Sequence, residues 1–256
     1  EVDGTNNVKC SGKGVVEVEN VSFSYNESAL TLENVSFVAK TGETIGIIGG
    51  TGSGKTTLIN LISGLYKVNG GCIKIDGVNV DEYSPAELRK KISVAVQHFD
   101  LFDGTVKSNL AVADGTATDD DMYEALKTAM AYDFVMGKDG LETIVAEGAT
   151  NFSGGQKQRL NIARALTKKS EILILDDSFS ALDYATDLNL RKNLKNIQDL
   201  TVIIISQRVS SVMDADKILV LEDGKTVGYG RHTELYKNCK EYKEICDLQS
   251  VGGGNE

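Results

Sequence analysis

Residues 44–63 read TIGIIGGTGSGKTTLINLIS, and this stretch decides the fold. Its first residues are mostly apolar and β-branched, as in a buried strand. A glycine-rich turn follows, and the apolar side chains beyond it recur at helical spacing. A strand that passes through a short turn directly into a helix is typical of α/β proteins, in which helices cover a largely parallel sheet.

The turn matches the pattern G-x-x-x-x-G-K-[ST] over residues 49–56. Glycines allow backbone N–H groups to converge on phosphate oxygens, and the helix start adds partial positive charge. Lys55 is expected to reach the β- and γ-phosphates, and the hydroxyl of Thr56 is expected to reach Mg²⁺. An ordinary glycine turn is the alternative, but the flanking strand and helix favour a phosphate site. The residues predicted to form it are Gly50, Thr51, Gly52, Ser53, Gly54, Lys55, Thr56 and Thr57.

Two further apolar runs extend the α/β pattern downstream. Residues 172–175, ILIL, precede Asp176, and residues 201–206, TVIIIS, precede Gln207. A carboxylate that closes a buried strand can hold the Mg²⁺ of a phosphate loop, so Asp176 is a candidate metal ligand. For Asp176 alone, a helix cap is the alternative.

The flanking segments predict two additions to this core. Residues 16–25, VEVENVSFSY, alternate apolar and polar side chains, which indicates antiparallel strands. Asp-Gly pairs at 76–77 and 223–224 indicate hairpin turns. Few strand signals occur between about 98 and 165, so we expect a helical insert there.

Composition excludes several classes of protein. The 256 residues carry 27 basic and 37 acidic side chains, a net charge of −10, which disfavours binding to nucleic acid. No apolar run exceeds four residues, whereas a membrane-spanning helix needs roughly 18 to 20. Four cysteines without C-x-x-C spacing, with only two histidines, indicate neither a zinc site nor a disulfide framework. The polar ends, 1–14 and 249–256, are interpreted as linker and flexible tail around an ordered body at 15–248.

A second motif lies between the phosphate loop and Asp176. Residues 151–159 read NFSGGQKQR, and together with the phosphate loop this resembles the signature motif of ABC ATPases. A serine and two glycines that open a helix form a second anion-binding N-terminus. The resemblance implies that the two motifs face away from each other, so that a second subunit completes each nucleotide site. The signature residues are Ser153, Gly154, Gly155 and Gln156.

The resemblance covers about residues 15–248 and implies a fold and further site residues. The implied fold is a P-loop NTPase (RecA-like) core with an antiparallel β subdomain and an inserted helical subdomain. Tyr25 lies where the family has its adenine-stacking aromatic, although a strand aromatic paired with Phe23 is the alternative. Gln97 resembles the hinge glutamine that senses Mg²⁺ and the attacking water.

Three more segments resemble family elements. Residues 180–183 resemble the loop that contacts the partner subunit, with a plain helix start capped by Asp183 as the alternative. Residues 100–106 and Glu147 resemble the exporter branch, in which these regions meet the transmembrane domain. For Glu147, a solvated surface residue is the alternative.

Two positions depart from the family pattern. Asp177 stands where fully competent exporters have glutamate, and its carboxylate is retracted by about one carbon–carbon bond. Gln207 stands where they have histidine, and a glutamine cannot carry a protonated charge. Asp177, Gln207 and Gln97 are the predicted catalytic residues, and Thr56, Gln97 and Asp176 the predicted metal ligands. The joint departure resembles the degenerate subunit of a heterodimeric ABC exporter.

The resemblance therefore implies the nucleotide-binding domain of an ABC exporter with an impaired hydrolytic site of its own. Its cofactors would be ATP and Mg²⁺, and its partners a second, non-identical nucleotide-binding domain and a transmembrane domain, with no nucleic acid. Such a domain lies on the cytoplasmic side of the membrane, and residues 1–14 would link it to the membrane domain. The alternatives are a regulatory ATP-binding module with negligible hydrolysis, and a non-transport or importer ABC ATPase.

Overall fold

The computed structural model describes residues 13–26 and 30–252. Most of residues 1–14 and the last four residues, which the sequence assigned to linker and tail, lie outside these ranges. Among the helices described, none combines the length and apolar character that crossing a bilayer requires. The strands of the described ranges are β1 (Val16–Phe23), β2 (Leu32–Ala39), β3 (Thr44–Gly49), β4 (Gly70–Ile75), β5 (Val78–Asn79), β6 (Ile92–Ala95), β7 (Gly104–Thr105), β8 (Ile144–Val145), β9 (Ile172–Asp176), β10 (Thr201–Ile205), β11 (Lys217–Glu222) and β12 (Lys225–Gly230).

The helices surround these strands, and several of them start at polar capping residues. Ser84 and Thr118, for example, begin their helices with capping boxes. The α-helices of the same ranges are α1 (Lys55–Ile62), α2 (Pro85–Lys91), α3 (Val106–Ala111), α4 (Asp119–Thr128), α5 (Tyr132–Met136), α6 (Gly154–Thr167), α7 (Tyr184–Lys195), α8 (Val209–Val212), α9 (His232–Asn238) and α10 (Lys240–Gly252), with short 3₁₀ helices at Val80–Glu82, Gly140–Glu142 and Glu147–Ala149.

A six-stranded sheet with the order β12-β11-β3-β10-β9-β6 forms the centre of the molecule. All its neighbouring pairs are parallel except β11 with β12, which form the hairpin predicted at 223–224. Every residue of β3, β9 and β10 is buried, as expected for strands covered on both faces. Because parallel strands end at one edge, the segments after β3, β6, β9 and β10 meet there.

A second, antiparallel sheet has the order β2-β1-β4-β5 and confirms the strands predicted from the alternating N-terminal pattern. Asp76 and Gly77 form its β4–β5 hairpin, both with positive φ. Val16 and Val18 of this sheet share one apolar core with Ile45 of β3 and Leu58 of α1. This sheet and α1 therefore pack on the same side of the central sheet.

The other side is covered by the predominantly helical segment predicted between about 98 and 165. Val106 of α3, Leu126 of α4 and Leu160 of α6 share a core with Leu173 of β9. The two-stranded sheet of β7 and β8 within this segment was not expected, since each strand has only two residues and gives no periodic signal. With both additions in place, the predicted α/β P-loop architecture is confirmed.

The C-terminal boundary differs from the expected one at Leu248. Helix α10 continues to Gly252, and the side chain of Gln249 makes two hydrogen bonds to the segment after β10. The glycines at the end of the sequence led to the prediction of a flexible tail from residue 249. The helix instead extends beyond residue 248.

Candidate nucleotide site at the sheet edge

The phosphate loop joins β3 to α1. Gly54 has φ +97°, and a Cβ there would lie 2.5 Å from Leu32 Cδ2, so only glycine fits. At Gly50 and Gly52 a Cβ would meet no atom of the described residues within 4 Å, so the loop is not packed against them there. Within the described residues no side chain caps α1, so its first N–H groups remain available to an anion.

Lys55 lies inside this loop with only 7% of its surface exposed. Its Nζ donates to the carbonyl oxygens of Gly49 at 2.9 Å and Gly50 at 2.7 Å, and to Ser53 Oγ at 3.3 Å. Burial lowers the pKa of Lys55, and the charges of Asp177 and Asp176 act in the opposite direction. Its oxygen partners among the described residues are all neutral, and a buried ammonium in such surroundings gains strongly from an anionic partner, so the loop fits a phosphate.

Thr56, Gln97 and Asp176 line one cavity at the end of the sheet. Asp176 is 9% exposed, and burial, followed by the charge of Asp177, raises its pKa to about 6. Lys55 and His98 lower that pKa. A buried carboxylate, a hydroxyl and an amide are hard oxygen donors, and they fit Mg²⁺ shared with a phosphate. His98 was missed in the sequence, although its position directly after Gln97 could have indicated it.

Asp177 and Gln207, the two departures from the family pattern, lie next to each other. The Asp177 amide donates to Ile205 O at 2.9 Å, and Asp177 Oδ1 accepts a bond of 3.3 Å from the backbone N–H of Gln207. Asp177 has φ +44°, in the left-handed region. The Asp177 carboxylate is therefore held at the end of β10.

Tyr25 reaches the first turn of α1. Its hydroxyl donates to Thr57 Oγ1 at 3.2 Å. Its ring makes edge-to-face contacts with the rings of Phe23 and Tyr66, whose centroids lie 4.9 and 5.2 Å from that of Tyr25. The contact with Phe23 agrees with the strand-aromatic alternative. Tyr25 remains 48% exposed beside the phosphate loop, so the geometry is also compatible with adenine stacking, which stays a prediction. Tyr66 was not predicted.

The signature motif begins α6, and the first hydrogen bonds of this helix join residues of the motif itself. Ser153 Oγ accepts from the Gln156 amide at 3.3 Å, and Gln156 Oε1 accepts from the Ser153 amide at 3.0 Å, which makes a capping box. Gly154 and Gly155 follow, and a Cβ on Gly155 would lie 3.0 Å from Ala181 O. The serine hydroxyl thus already has a partner within its own helix.

The loop at 180–183 contacts both the signature helix and the segment after β10. Gln158 donates through Nε2 to Ser180 Oγ at 3.0 Å and accepts through Oε1 from the Ala181 amide at 2.9 Å. Arg208 Nη2 donates to Ser180 O at 2.9 Å. Asp183 caps α7 by accepting from the Thr186 amide at 2.9 Å, as the simpler alternative for this loop requires. Gln158 and Arg208 were not singled out in the sequence.

Of the residues that resemble the exporter branch, Leu101 and Val106 are buried and most of the others lie on the surface. Glu147 is exposed, as its alternative interpretation also requires. Phe102, within 100–106, is 55% exposed, and its backbone is held by Asn109, whose Oδ1 accepts from the Phe102 amide at 2.8 Å. The exposed phenyl ring on a fixed backbone is available to another polypeptide.

Comparison with known proteins agrees with this geometry. A family model described as "ABC transporter" matches residues 32–180. An uncharacterized ABC transporter ATP-binding protein of Mycobacterium tuberculosis is 42% identical over 243 residues, which are 93% of this chain and 42% of that protein. The β-(1→2)glucan export ATP-binding/permease protein NdvA of Bartonella bacilliformis is 40% identical over 225 residues, 87% of this chain and 38% of that protein.

A solved structure, that of a bacterial Atm1-family ABC exporter with ATP bound, matches with a TM-score of 0.88 and 31% identity over 97% of this chain and 44% of the other. The chain thus spans about two fifths of the length of its relatives. The match to the family model extends over more than half of the chain and includes the phosphate loop, the signature motif and Asp176. The chain belongs to the ABC transporter family and is an ATP-binding domain of that family.

Proposed function

We propose that this domain binds Mg-ATP at the sheet edge and serves an exporter as its nucleotide-binding domain. The observation that carries the proposal is the pairing of two buried charges, Lys55 in the phosphate loop and Asp176 at the end of β9. Each charge alters the pKa of the other, and within the described residues neither forms an ion pair, so a phosphate and a Mg²⁺ ion would supply the counter-charges. The names of the relatives, which are exporter ATP-binding proteins, support the same assignment.

Each predicted residue has a role in this proposal. Lys55 binds the β- and γ-phosphates, and Thr56, Gln97 and Asp176 would hold Mg²⁺. Bound Mg²⁺ neutralises phosphate charge and orients the phosphates for in-line attack. Tyr25 stacks on the adenine ring, and Asp177 accepts a proton from the attacking water.

Hydrolysis in this site is proposed to be slow. Asp177 is one methylene shorter than glutamate, and its carboxylate accepts a hydrogen bond of 3.3 Å from the backbone N–H of Gln207. A displacement of about 1 Å at a reacting group can cost on the order of a hundredfold in rate. The side-chain amide of Gln207 also supplies no positive charge to stabilise the transition state. Binding is expected to survive these changes better than turnover.

The signature motif is proposed to act on a nucleotide held by a second, non-identical domain. Its helix start is closed by its own capping box, and Gly155 packs against the loop at 180–183. A partner with an intact base would then form a competent site with Ser153 and its neighbours. The exporter relatives are ATP-binding/permease proteins, which supports a transmembrane partner and a position on the cytoplasmic side of the membrane. Within this domain, about 98–165 would be the helical subdomain.

Titration of the chain with a fluorescent ATP analogue, with Mg²⁺ and with EDTA, tests the proposal. We expect binding that is tighter with Mg²⁺, and Asp176→Asn should remove most of the Mg²⁺ dependence. Asp120→Asn, a charge removed from the exposed start of α4, is the matched control and should change nothing. Absence of measurable affinity for adenine nucleotides in the unmodified chain would overturn the assignment.

A regulatory module that binds ATP and hydrolyses it negligibly is the second candidate, and Asp177 and Gln207 favour it. The double variant Asp177→Glu with Gln207→His separates the two questions. If the two positions limit hydrolysis, phosphate release by the self-paired variant should rise by about a hundredfold over the unmodified chain. Unchanged turnover with intact ATP binding would mean that these residues do not cause the impairment.

A further inference from the structure

The short helix α8 begins without a cap from its own sequence. It has four residues, and Arg208, the residue before it, makes no side-chain bond to its first turn within the part of the chain described. The acceptor for the first N–H group of this helix comes instead from α10, near the C-terminus. Gln249 Oε1 in α10 accepts a bond of 2.8 Å from the Val209 amide, the first N–H of α8.

The same side chain also holds the residue before the helix. Gln249 Nε2 donates to the carbonyl oxygen of Gln207 at 2.7 Å. The two ends of one glutamine amide therefore bridge residues 207 and 209, and both contacts are backbone contacts. The backbone N–H of Gln207, in turn, donates to Asp177 Oδ1 at 3.3 Å. Gln207 is thus bound at its carbonyl by α10 and at its N–H by the Asp177 carboxylate.

Helix α10 is well anchored for this role. Tyr242 is 0% exposed and Cys246 is 5% exposed, and both belong to the core on the helical side of the central sheet. Residues 242, 246 and 249 are spaced four and three apart, so they lie along one face of the helix. The Tyr242 hydroxyl also hydrogen-bonds with His232 Nδ1 at 2.8 Å, which ties α10 to α9. The core contacts therefore fix the place from which Gln249 reaches α8.

We propose that Gln249 is a positioning residue, which sets the backbone of residues 207–209 and, through the Gln207 N–H, the orientation of the Asp177 carboxylate. The catalytic meaning of this role rests on the function proposed for Asp177 and Gln207. The C-terminal helix thereby controls the geometry of the site edge through backbone contacts at residues 207 and 209. Displacement of α10 by another polypeptide would loosen that edge.

Amide hydrogen exchange in the nucleotide-free 256-residue chain, resolved by NMR, tests the positioning directly. Gln249→Met keeps the length of the side chain and removes both bonds, so the amides of 207 and 209 should exchange about three- to tenfold faster. Gln249→Glu keeps the acceptor for Val209 and loses the donor to Gln207, so only the Gln207 amide should accelerate. Ser250→Ala is the matched control, because among the described residues the Ser250 hydroxyl bonds only to Cys246 O, within α10 itself.

Unchanged exchange at both amides in Gln249→Met would overturn the proposal. If that variant does not fold, Gln249→Glu decides, and an unchanged Gln207 rate there overturns it as well. A kinetic measurement separates positioning from plain stabilisation. In the background Asp177→Glu with Gln207→His, Gln249→Met should lower kcat several-fold with KM for ATP unchanged, and an unchanged kcat would leave Gln249 a structural residue only.

The two proposals can fail independently. If the unmodified chain does not bind ATP, the proposed function is wrong, but the exchange rates still show whether Gln249 holds residues 207–209. If ATP binds and the exchange rates do not respond to the loss of Gln249, the function stands and the positioning role is wrong.

Discussion

Helices α1 and α6 both start at glycine-rich motifs, yet their N-termini differ in how their N–H groups are satisfied. At α1 the capping position is Gly54, which has no side chain, and the loop encloses a buried lysine. At α6 Ser153 and Gln156 cap each other reciprocally, and the motif lies on the surface. The first end is left open and charged, while the second already satisfies two of its N–H groups through its own capping box.

If the domain functions as proposed, this difference predicts that the two motifs bind phosphate under different conditions. The open end of α1 gains its missing hydrogen bonds as soon as an anion enters the loop. At α6 the backbone N–H groups of Ser153 and Gln156 already have acceptors, so fewer groups would gain a first partner from a phosphate and the net gain should be smaller. A weak second contact is suited to a site that closes only when two domains meet, whereas the phosphate loop should bind ATP in the isolated domain.

The largest effect should come from Lys55→Met. It removes the buried positive charge, and bonds to charged groups contribute about 1.5 to 3 kcal/mol, so affinity for Mg-ATP should fall by about 10- to 100-fold. Lys67→Met, at an exposed lysine just beyond α1, is the control and should leave the affinity unchanged. Equilibrium titration with a fluorescent ATP analogue measures both. Equal affinities for the two variants would contradict the view that α1 provides the main phosphate contact.

The contrast between the two ends was only partly visible in the sequence. The pattern around Lys55 predicted the strand, the turn, the helix and the residues of the loop, because glycine spacing and apolar periodicity are local signals. The sequence did not show that Ser153 is occupied by Gln156, although a serine followed three residues later by glutamine is a capping-box pattern. At Ser153 an anion-binding helix start was predicted, and the local capping bond was not.

Long-range contacts could not be predicted from the sequence, for a different reason. The bonds of Gln158 to the loop at 180–183, and those of Gln249 to residues 207–209, join segments that no periodicity relates. They follow from how the central sheet arranges its parallel strands and how α10 packs on the core. Composition also hid the extent of α10, because the glycines at the end of the chain resemble a tail.

A smaller effect should follow when the packing of α6 is changed. In Gly155→Ala the added Cβ would lie 3.0 Å from Ala181 O, a backbone atom, so the loop at 180–183 must shift. Overpacking of this kind costs about 1 to 3 kcal/mol in the free energy of unfolding. Gly154→Ala is the matched control, since its Cβ would lie 3.9 Å from Ala181 Cβ, an ordinary contact. Urea unfolding should show a loss for Gly155→Ala and none for Gly154→Ala, and equal stabilities would mean that α6 does not depend on close approach to this loop.

The smallest effect should come from Ser153→Ala, which opens the cap of α6. Loss of a serine cap costs about 1 kcal/mol of stability, and Ser84→Ala, which opens the same type of capping box at α2, should cost about as much. The two variants differ only in whether the lost hydroxyl belongs to the signature motif. In the isolated domain neither variant should alter ATP affinity, because neither Ser153 nor Ser84 belongs to the site proposed to hold the nucleotide there. With a competent partner domain present, Ser153→Ala should reduce phosphate release and Ser84→Ala should not. If Ser153→Ala weakened ATP binding in the isolated domain as Lys55→Met does, both helix ends would act on one nucleotide in one chain, and the distinction between an open and a capped end would be wrong.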